Sequence, residues 1–324
     1  VPKLLEQGYK VRVIDWYIYG NPLADYAGHP DLEEIRGDIR DTDTLLQAVS
    51  HCDAVIHLAC ISNDPSAELN PQLTRSVNLD AFAPLVQAAK LAGVKRFVYA
   101  SSSSVYGLSD QPDVTEDHPL IPLTDYNRFK GMCEPILLEQ MDDEFTPVII
   151  RPATVCGYSP RLRLDLSVNI LTNLAINKGQ ITVFGGKQMR PNIHIQDITD
   201  LYCKLLEEPK EKIAGQTFNA GYQNRTIADI AQIVKDIVST RVPGREDMTI
   251  LTTPSDDIRS YHISAKKIET DLGFVPRFTI EDAVNDLVDA FLENKIPNAM
   301  SDDVYYNIRT MQRLEPQFAQ GLSA

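Results

Sequence analysis

Three runs of almost uninterrupted apolar residues constrain the fold more than anything else in the chain: Asp53 to Ala59 (DAVIHLA), Lys95 to Ser101 (KRFVYAS) and Thr146 to Arg151 (TPVIIR). A strand with one wet face alternates. A run that is apolar at nearly every position must be covered on both faces, as in a parallel sheet flanked by helices. Helical stretches separate the runs. Asn70-Pro71 opens one, with Pro at its first position, that reads on to Leu91 with an interruption at Pro84 and ends at Gly93. Leu123 to Met141 is another. Upstream, Lys10 to Asp15 alternates as a strand, Leu32 to Ile35 leads to Gly37-Asp38, and Asp41 to Ser50 is a helix capped by Asp41 or Thr42. This rhythm predicts right-handed βαβ units in an α/β protein built on a doubly wound parallel sheet.

Val1 to Gln7 reads as the end of an amphipathic helix closed by Gly8. A chain rarely starts halfway along a helix, so a strand and a turn are expected upstream; the alternative is a true start with a frayed first helix. Beyond Arg151 the pattern loosens. Helices are expected at Leu164 to Asn177, Asp197 to Glu207, Ile227 to Ser239, Ala265 to Leu272 and Ile280 to Asn294, with short strands at Ile181 to Phe184 and Ile193 to Ile195. The division predicted is a dinucleotide-binding domain over 1–160, a smaller and mainly substrate-binding α/β lobe over 161–296, and a tail over 297–324. The tail carries Tyr305, Tyr306 and Met311 and is expected to drape over its own lobe rather than cross to a partner.

Composition removes several function classes. With 43% hydrophobic and 23% charged residues the chain is no disordered segment. Lys and Arg number 31 against 45 Asp and Glu, a net charge of −14, so nucleic acid and anionic membrane are poor partners. A phosphate-bearing ligand would depend on a few local Arg residues and helix N-termini. No apolar run is long enough to span a bilayer. The five Cys are odd in number and scattered, which fits a reducing cytoplasm better than a disulfide framework. The six His show no metal-ligand spacing, and His57 and His194 read as structural members of apolar strands.

Three features point to chemistry. Asp15 ends a strand, where a carboxylate can accept hydrogen bonds from the ribose hydroxyls of a dinucleotide and repel a 2′-phosphate. The sixteen Gly contain no GxGxxG-like cluster before it, as a missing first strand and turn would produce. YASSSSVYG, Tyr99 to Gly107, puts several hydroxyls at the tip of a buried strand. Tyr126 and Lys130 stand four apart on a helix, so phenol and ammonium share a face. Each alone is weak: an ordinary Asp, a polar loop, a chance spacing. In this order they make a set suited to stripping an alcohol. A phenol near its reference pKa of about 10 is a poor base at neutral pH, and a neighbouring cation can bring it down. A Ser hydroxyl then orients the substrate oxygen.

The set resembles the extended short-chain dehydrogenase/reductases, specifically the NAD-dependent nucleotide-sugar epimerase/dehydratase family, from Val1 to about Asn294. That resemblance implies a Rossmann-type sheet and NAD as cofactor. GDIRD (Gly37 to Asp41) resembles the adenine-contacting turn, with Asp38 and Ile39 at the ring. HLAC (His57 to Cys60) resembles the family's HLAA strand end, so Leu58 and Ala59 would line the cofactor, as would Asn78 of SVN. RPATVCG (Arg151 to Gly157) resembles RPxxVYG, which implies Ala153 and Val155 at the nicotinamide, with Cys156 in place of the usual Tyr. By register from VYG, Ser102 is the substrate-orienting hydroxyl, with Ser103 beside it on the substrate side; Tyr126 is the base and Lys130 its partner and ribose ligand. Asn169, Arg190 in GGKQMRPNIHIQD and Arg259 in DDIRSYHIS would face a sugar nucleotide's diphosphate. Without the resemblance, both Arg would read as surface ion-pair partners. The family pairs as a homodimer through its two long helices, here near Asn70–Leu91 and Leu123–Met141.

One departure narrows the reaction. In sugar-nucleotide 4,6-dehydratases an Asp-Glu pair follows the catalytic hydroxyl, and decarboxylating relatives keep the Glu; Ser103 and Ser104 stand there in this chain. Oxidation at a sugar carbon remains, most plausibly C4, as a 4-epimerase or a C4 dehydrogenase. The alternatives are a dehydratase or reductase on the same scaffold, and a non-catalytic dinucleotide-binding regulator.

Overall fold

The computed structural model describes residues 1–109, 111, 113–254, 260 and 262–319. The three apolar runs form neighbouring parallel strands, Ala54–His57, Arg96–Ala100 and Thr146–Pro152, and a fourth strand, Gln216–Ala220, joins beyond them. Alternation decides what each face of this sheet meets. Phe97, Tyr99 and Ile149 point to one side, onto Leu85, Val86 and Ala89 of the helix Phe82–Leu91 and Phe129, Cys133 and Leu137 of the helix Asp125–Leu138. Val98, Val148, Ile150 and Phe218 point to the other, onto Ile198, Leu201 and Leu205 of the helix Ile195–Glu207. Helices on both faces of a parallel sheet make the doubly wound, Rossmann-type architecture. Val11–Asp15 and Leu32–Arg36 pair with each other, also in parallel.

The smaller lobe holds a three-stranded sheet, with Met189–His194 between Gln223–Thr226 and Thr154–Cys156, and a parallel pair, Gln180–Phe184 with Thr249–Thr253. Behind them pack Ser167–Lys178, Ile227–Arg241 and Ile280–Leu292 through Val168, Val234 and Val284. Residues 161–296 therefore also supply pieces of the first domain, since Gln216–Ala220 lies in the main sheet.

Several expectations need correction. The helix foreseen from Asn70 to Leu91 is not broken at Pro84. Pro84 sits in the first turn of Phe82–Leu91, where a missing N–H costs little. The irregularity lies earlier, at a π-helical turn Ser76–Asp80 between Pro71–Arg75 and Phe82–Leu91. The strand expected at Ile193 to Ile195 is longer and displaced, Met189–His194, and Ile195 already begins a helix. The tail does more than cover its own lobe. Tyr306 packs with Leu162, Leu164 and Leu287, but the helix Asn307–Ala319 returns to the first domain. There Met311 meets Ile39, Ile61 and Leu73, and Phe318 stacks on Trp16 with ring centroids 5.8 Å apart.

Candidate active site

The serine-rich segment begins where the strand Arg96–Ala100 ends. Ser102 is extended (φ −161°, ψ 144°) and caps the 3-10 turn Ser103–Tyr106 by accepting from the Ser104 N–H. The Ser102 and Ser104 hydroxyls lie 2.7 Å apart, and Ser104 in turn donates to the Asn127 side chain. Gly107 closes the turn at φ +71°, and a Cβ there would stand 2.0 Å from the Ile121 carbonyl oxygen. Only glycine lets the strand tip approach the segment that feeds the helix Asp125–Leu138 this closely. Thr124 caps that helix through the Asn127 N–H and donates to Asp64 at 2.7 Å.

Tyr126 stands in the first turn of this helix, and its phenol lies beside Ser102, whose hydroxyl is engaged with Ser104. The two residues predicted as base and orienter thus meet. The phenol is held above the ordinary range, first by burial and then by Cys60 and Asp64; Arg163 and the neighbouring Ser102 oppose this. Lys130 shares the helix face, but its ammonium is buried and donates to the Ala100 carbonyl at 2.6 Å, 5.1 Å from the Tyr99 ring centre. That bond fixes the helix to the very strand that carries Ser102.

Lys130 also bears on His57. The His57 ring lies among Phe82, Phe97 and Tyr99, and burial, with the Lys130 charge second, pulls its imidazole down to about 3. Between its ordinary value and this one, the unfolded chain takes up a proton that the folded chain refuses. Stability is therefore full above about pH 6.5 and falls as the pH drops toward 3, by up to about 1.4 kcal/mol per pH unit. Urea unfolding at pH 7 and pH 5 is expected to differ by about 2 kcal/mol from this residue, and His57→Asn should remove that slope.

Of the other predicted positions, Asp15, Leu58 and Ala59 fall at the carboxyl ends of parallel strands. Asp15 is exposed at its strand end and accepts the Tyr17 N–H at 2.6 Å. Asp38 is buried and paired with Arg40 at 2.7 Å, and Ile39 lies in the apolar cluster under the tail helix. Leu58 is 53% exposed just past Ala54–His57, an open apolar surface where a strand ends, and Ala59 follows in partial cover. Asn78 sits in the π-helical turn and clamps Ile61 through both N–H and C=O, at 2.8 and 2.9 Å. Ala153 donates its N–H to Ala220, and Val155 lies on Thr154–Cys156. Ser103, the first residue of the 3-10 turn, is buried. Asn169 is buried, its amide bonded to Gly157 and Arg163 backbone. Arg190 donates to the Met189 carbonyl on the strand Met189–His194. Arg259 lies outside the described residues.

Sequence reasoning passed over a buried network beneath the site. Ser101 donates to Glu134 at 2.6 Å, Glu134 takes Arg151 through both oxygens at 3.0 and 2.6 Å, and Arg151 donates to the Tyr106 hydroxyl at 2.7 Å. The Tyr106 hydroxyl ends on Asn219. It also passed over Asp64, Arg161 and Arg163. The segment SPRLRLD offered the two Arg as a signal, but its last residues were absorbed into a helix expected from Leu164, which in fact starts at Ser167.

Residues 1–221 match the model of the NAD dependent epimerase/dehydratase family. A UDP-glucose 4-epimerase of Lactobacillus helveticus is 28% identical over 306 residues, covering 86% of this chain and 88% of that protein. A dTDP-glucose 4,6-dehydratase of Streptomyces niveus is 26% identical over 304 residues, covering 89% and 85%. Among solved structures, the dTDP-glucose 4,6-dehydratase DesIV of Streptomyces venezuelae, crystallised with NAD, superposes with a TM-score of 0.80 at 24% identity, covering 91% of this chain and 92% of that one. With the family model matched over most of its length, and its sheet and serine–tyrosine pair arranged as described above, the chain belongs to the NAD-dependent epimerase/dehydratase family.

Proposed function

We propose that this protein uses NAD to oxidise C4 of a nucleotide-activated sugar, acting as a 4-epimerase or as a C4 dehydrogenase. The observation that carries the reading is the placing of Tyr126 beside Ser102 at the strand tip, with Ser103 and Ser104, not carboxylates, at the next two positions. A 4,6-elimination needs an acid and a base beyond the tyrosine, and these two serines supply neither. NAD would supply the hydride acceptor. The cofactor fits the edge: Leu58 leaves an open apolar surface at the end of one parallel strand, and the exposed Asp15 carboxylate ends another. Asp38, Ile39, Ala59, Asn78, Ala153 and Val155 would complete its lining. Ser102 orients the C4 hydroxyl and Tyr126 takes its proton. Lys130 holds the cofactor ribose and draws the phenol toward ionisation. Ser103, Asn169, Arg190 and Arg259 belong to the sugar-nucleotide side.

The test is product mass. The full-length protein with NAD and a panel of sugar nucleotides is expected to give a product of unchanged mass (epimer) or one lacking two hydrogens, the latter with a rise at 340 nm. A product lighter by one water assigns it to the dehydratases instead, and no product with any sugar nucleotide favours the regulator. The protein is also expected to pair through Phe82–Leu91 and Asp125–Leu138, where Leu91 is 87% and Met132 46% exposed. Light scattering at micromolar concentration should give twice the monomer mass; a monomer removes that expectation.

A further inference from the structure

We infer that Arg161 and Arg163 form a clamp for the diphosphate of a nucleotide ligand, closed on one side by Tyr19; this rests on the reading of the site given above. The clamp is assembled from loops past the carboxyl ends of three strands, Val11–Asp15, Ala54–His57 and Thr154–Cys156, with a fourth contribution from the tail. Arg161 lies over the Tyr19 ring at 4.0 Å and donates to Asn307 at 2.6 Å. Asn307 donates to Ser62 at 2.8 Å, and Arg163 reaches the same hydroxyl at 3.4 Å. The two guanidiniums are thus tied to one another through Ser62 and Asn307.

Asp165 and Asp15 both act on Arg161 from a distance, while direct carboxylate pairing falls to Arg163. Arg163 is paired with Asp165 at 2.9 Å, a carboxylate that also accepts from Asn63 and the Asn307 N–H. Arg161 donates to neutral acceptors, the Leu162 carbonyl and the Asn307 side chain. Burial, and after it the Arg163 charge, pulls Arg161 down to about 10. Two donors in this cluster are buried without a hydrogen-bond partner among the described residues: Arg163 Nη2 and the Tyr19 hydroxyl. Buried donors are rarely left open, and two cationic forks beside a hydroxyl match the oxygens of adjacent phosphoryl groups. Arg163 also acts electrostatically on the Tyr126 phenol. A chain of net charge −14 would need such a local counter-field to draw a diphosphate in.

The probe is inorganic pyrophosphate, titrated calorimetrically into the full-length protein, with orthophosphate as reference. Pyrophosphate is expected to bind more tightly than orthophosphate and to weaken with salt. Arg161→Gln and Arg163→Gln should each weaken it about tenfold or more. Arg241→Gln, on the far lobe, should leave it unchanged. Tyr19→Phe removes one hydroxyl and no charge. It should weaken pyrophosphate by about threefold or more with the unfolding midpoint retained, which keeps the test decisive if an Arg variant fails to fold. Dissociation constants for NAD and for UDP-glucose in the same variants then name the source, since the ligand whose diphosphate sits here weakens and the other does not. Pyrophosphate that fails to bind, or binds every variant alike, overturns the clamp. Because this titration requires no turnover, it can succeed where the C4 oxidation reading fails, and the reverse.

Discussion

Tyr126→Phe is expected to lower turnover by about 10²- to 10⁴-fold while costing no more than about 1.5 kcal/mol of stability. The substitution keeps the ring and removes only the hydroxyl beside Ser102. The loss follows from where the proton must go: an alcohol gives up its hydride readily only if its hydroxyl proton leaves as well, and Tyr126 is the group proposed to take it. The pH dependence should show the same residue. Burial, Cys60 and Asp64 hold the phenol in its protonated form, and only the deprotonated form is a base, so kcat/KM should rise with pH on the acid side of its optimum. The Arg163 charge and the positive nicotinamide of bound NAD would shift that rise to lower pH. Tyr126→Phe should flatten the limb as well as lower it. Full turnover in the variant, measured by product mass, would remove Tyr126 from the role of base and with it the proposed chemistry.

What the sequence displayed, and what it hid, divides along physical lines. The runs DAVIHLA, KRFVYAS and TPVIIR were legible because a strand buried on both faces has no room for polar residues. That Tyr126 and Lys130 share one helix was legible because their spacing of four fits a helical turn. Where Lys130 sends its proton donors was not legible, because the Ala100 carbonyl comes from another strand 30 residues away. Gln216–Ala220 and Gln223–Thr226 went unseen because QTFNA and QNRT are largely polar; the first earns its place in the sheet through Phe218 and through Asn219, which is wholly buried but bonded to Val114, Ser264 and Glu116. The π-helical turn at Ser76–Asp80 likewise has no local signature, since its register is set by Asn78 clamping Ile61 across the domain. Pairwise helix and strand patterns carry the frame of this site, whereas its charges are arranged by contacts between loops far apart in the chain.

Arg151→Met is expected to cost about 3–5 kcal/mol of unfolding free energy, read from urea unfolding at neutral pH. Arg151 and Glu134 are 6% and 5% exposed, and they are bonded through both carboxylate oxygens. Removing the guanidinium strands the carboxylate in the interior and leaves the Tyr106 hydroxyl and the Glu116 carbonyl without its donors. Glu134→Leu with Arg151→Met should lose clearly less than the sum of the two single changes, because replacing both charges removes the stranded one. Strictly additive losses would mean that the pair is not energetically coupled. The double variant also separates stability from positioning. Ser101 donates to Glu134, and Ser102 follows it directly, so the carboxylate ties the tyrosine helix to the strand tip that leads into Ser102. With that tie gone, a fold of near-parent stability should still turn over about tenfold or more slowly, since displacements on the order of 1 Å at a reacting group are costly. If the double variant regains both stability and rate, then Glu134 and Arg151 serve packing alone, and the position of Ser102 against Tyr126 is fixed by Lys130 on the Ala100 carbonyl.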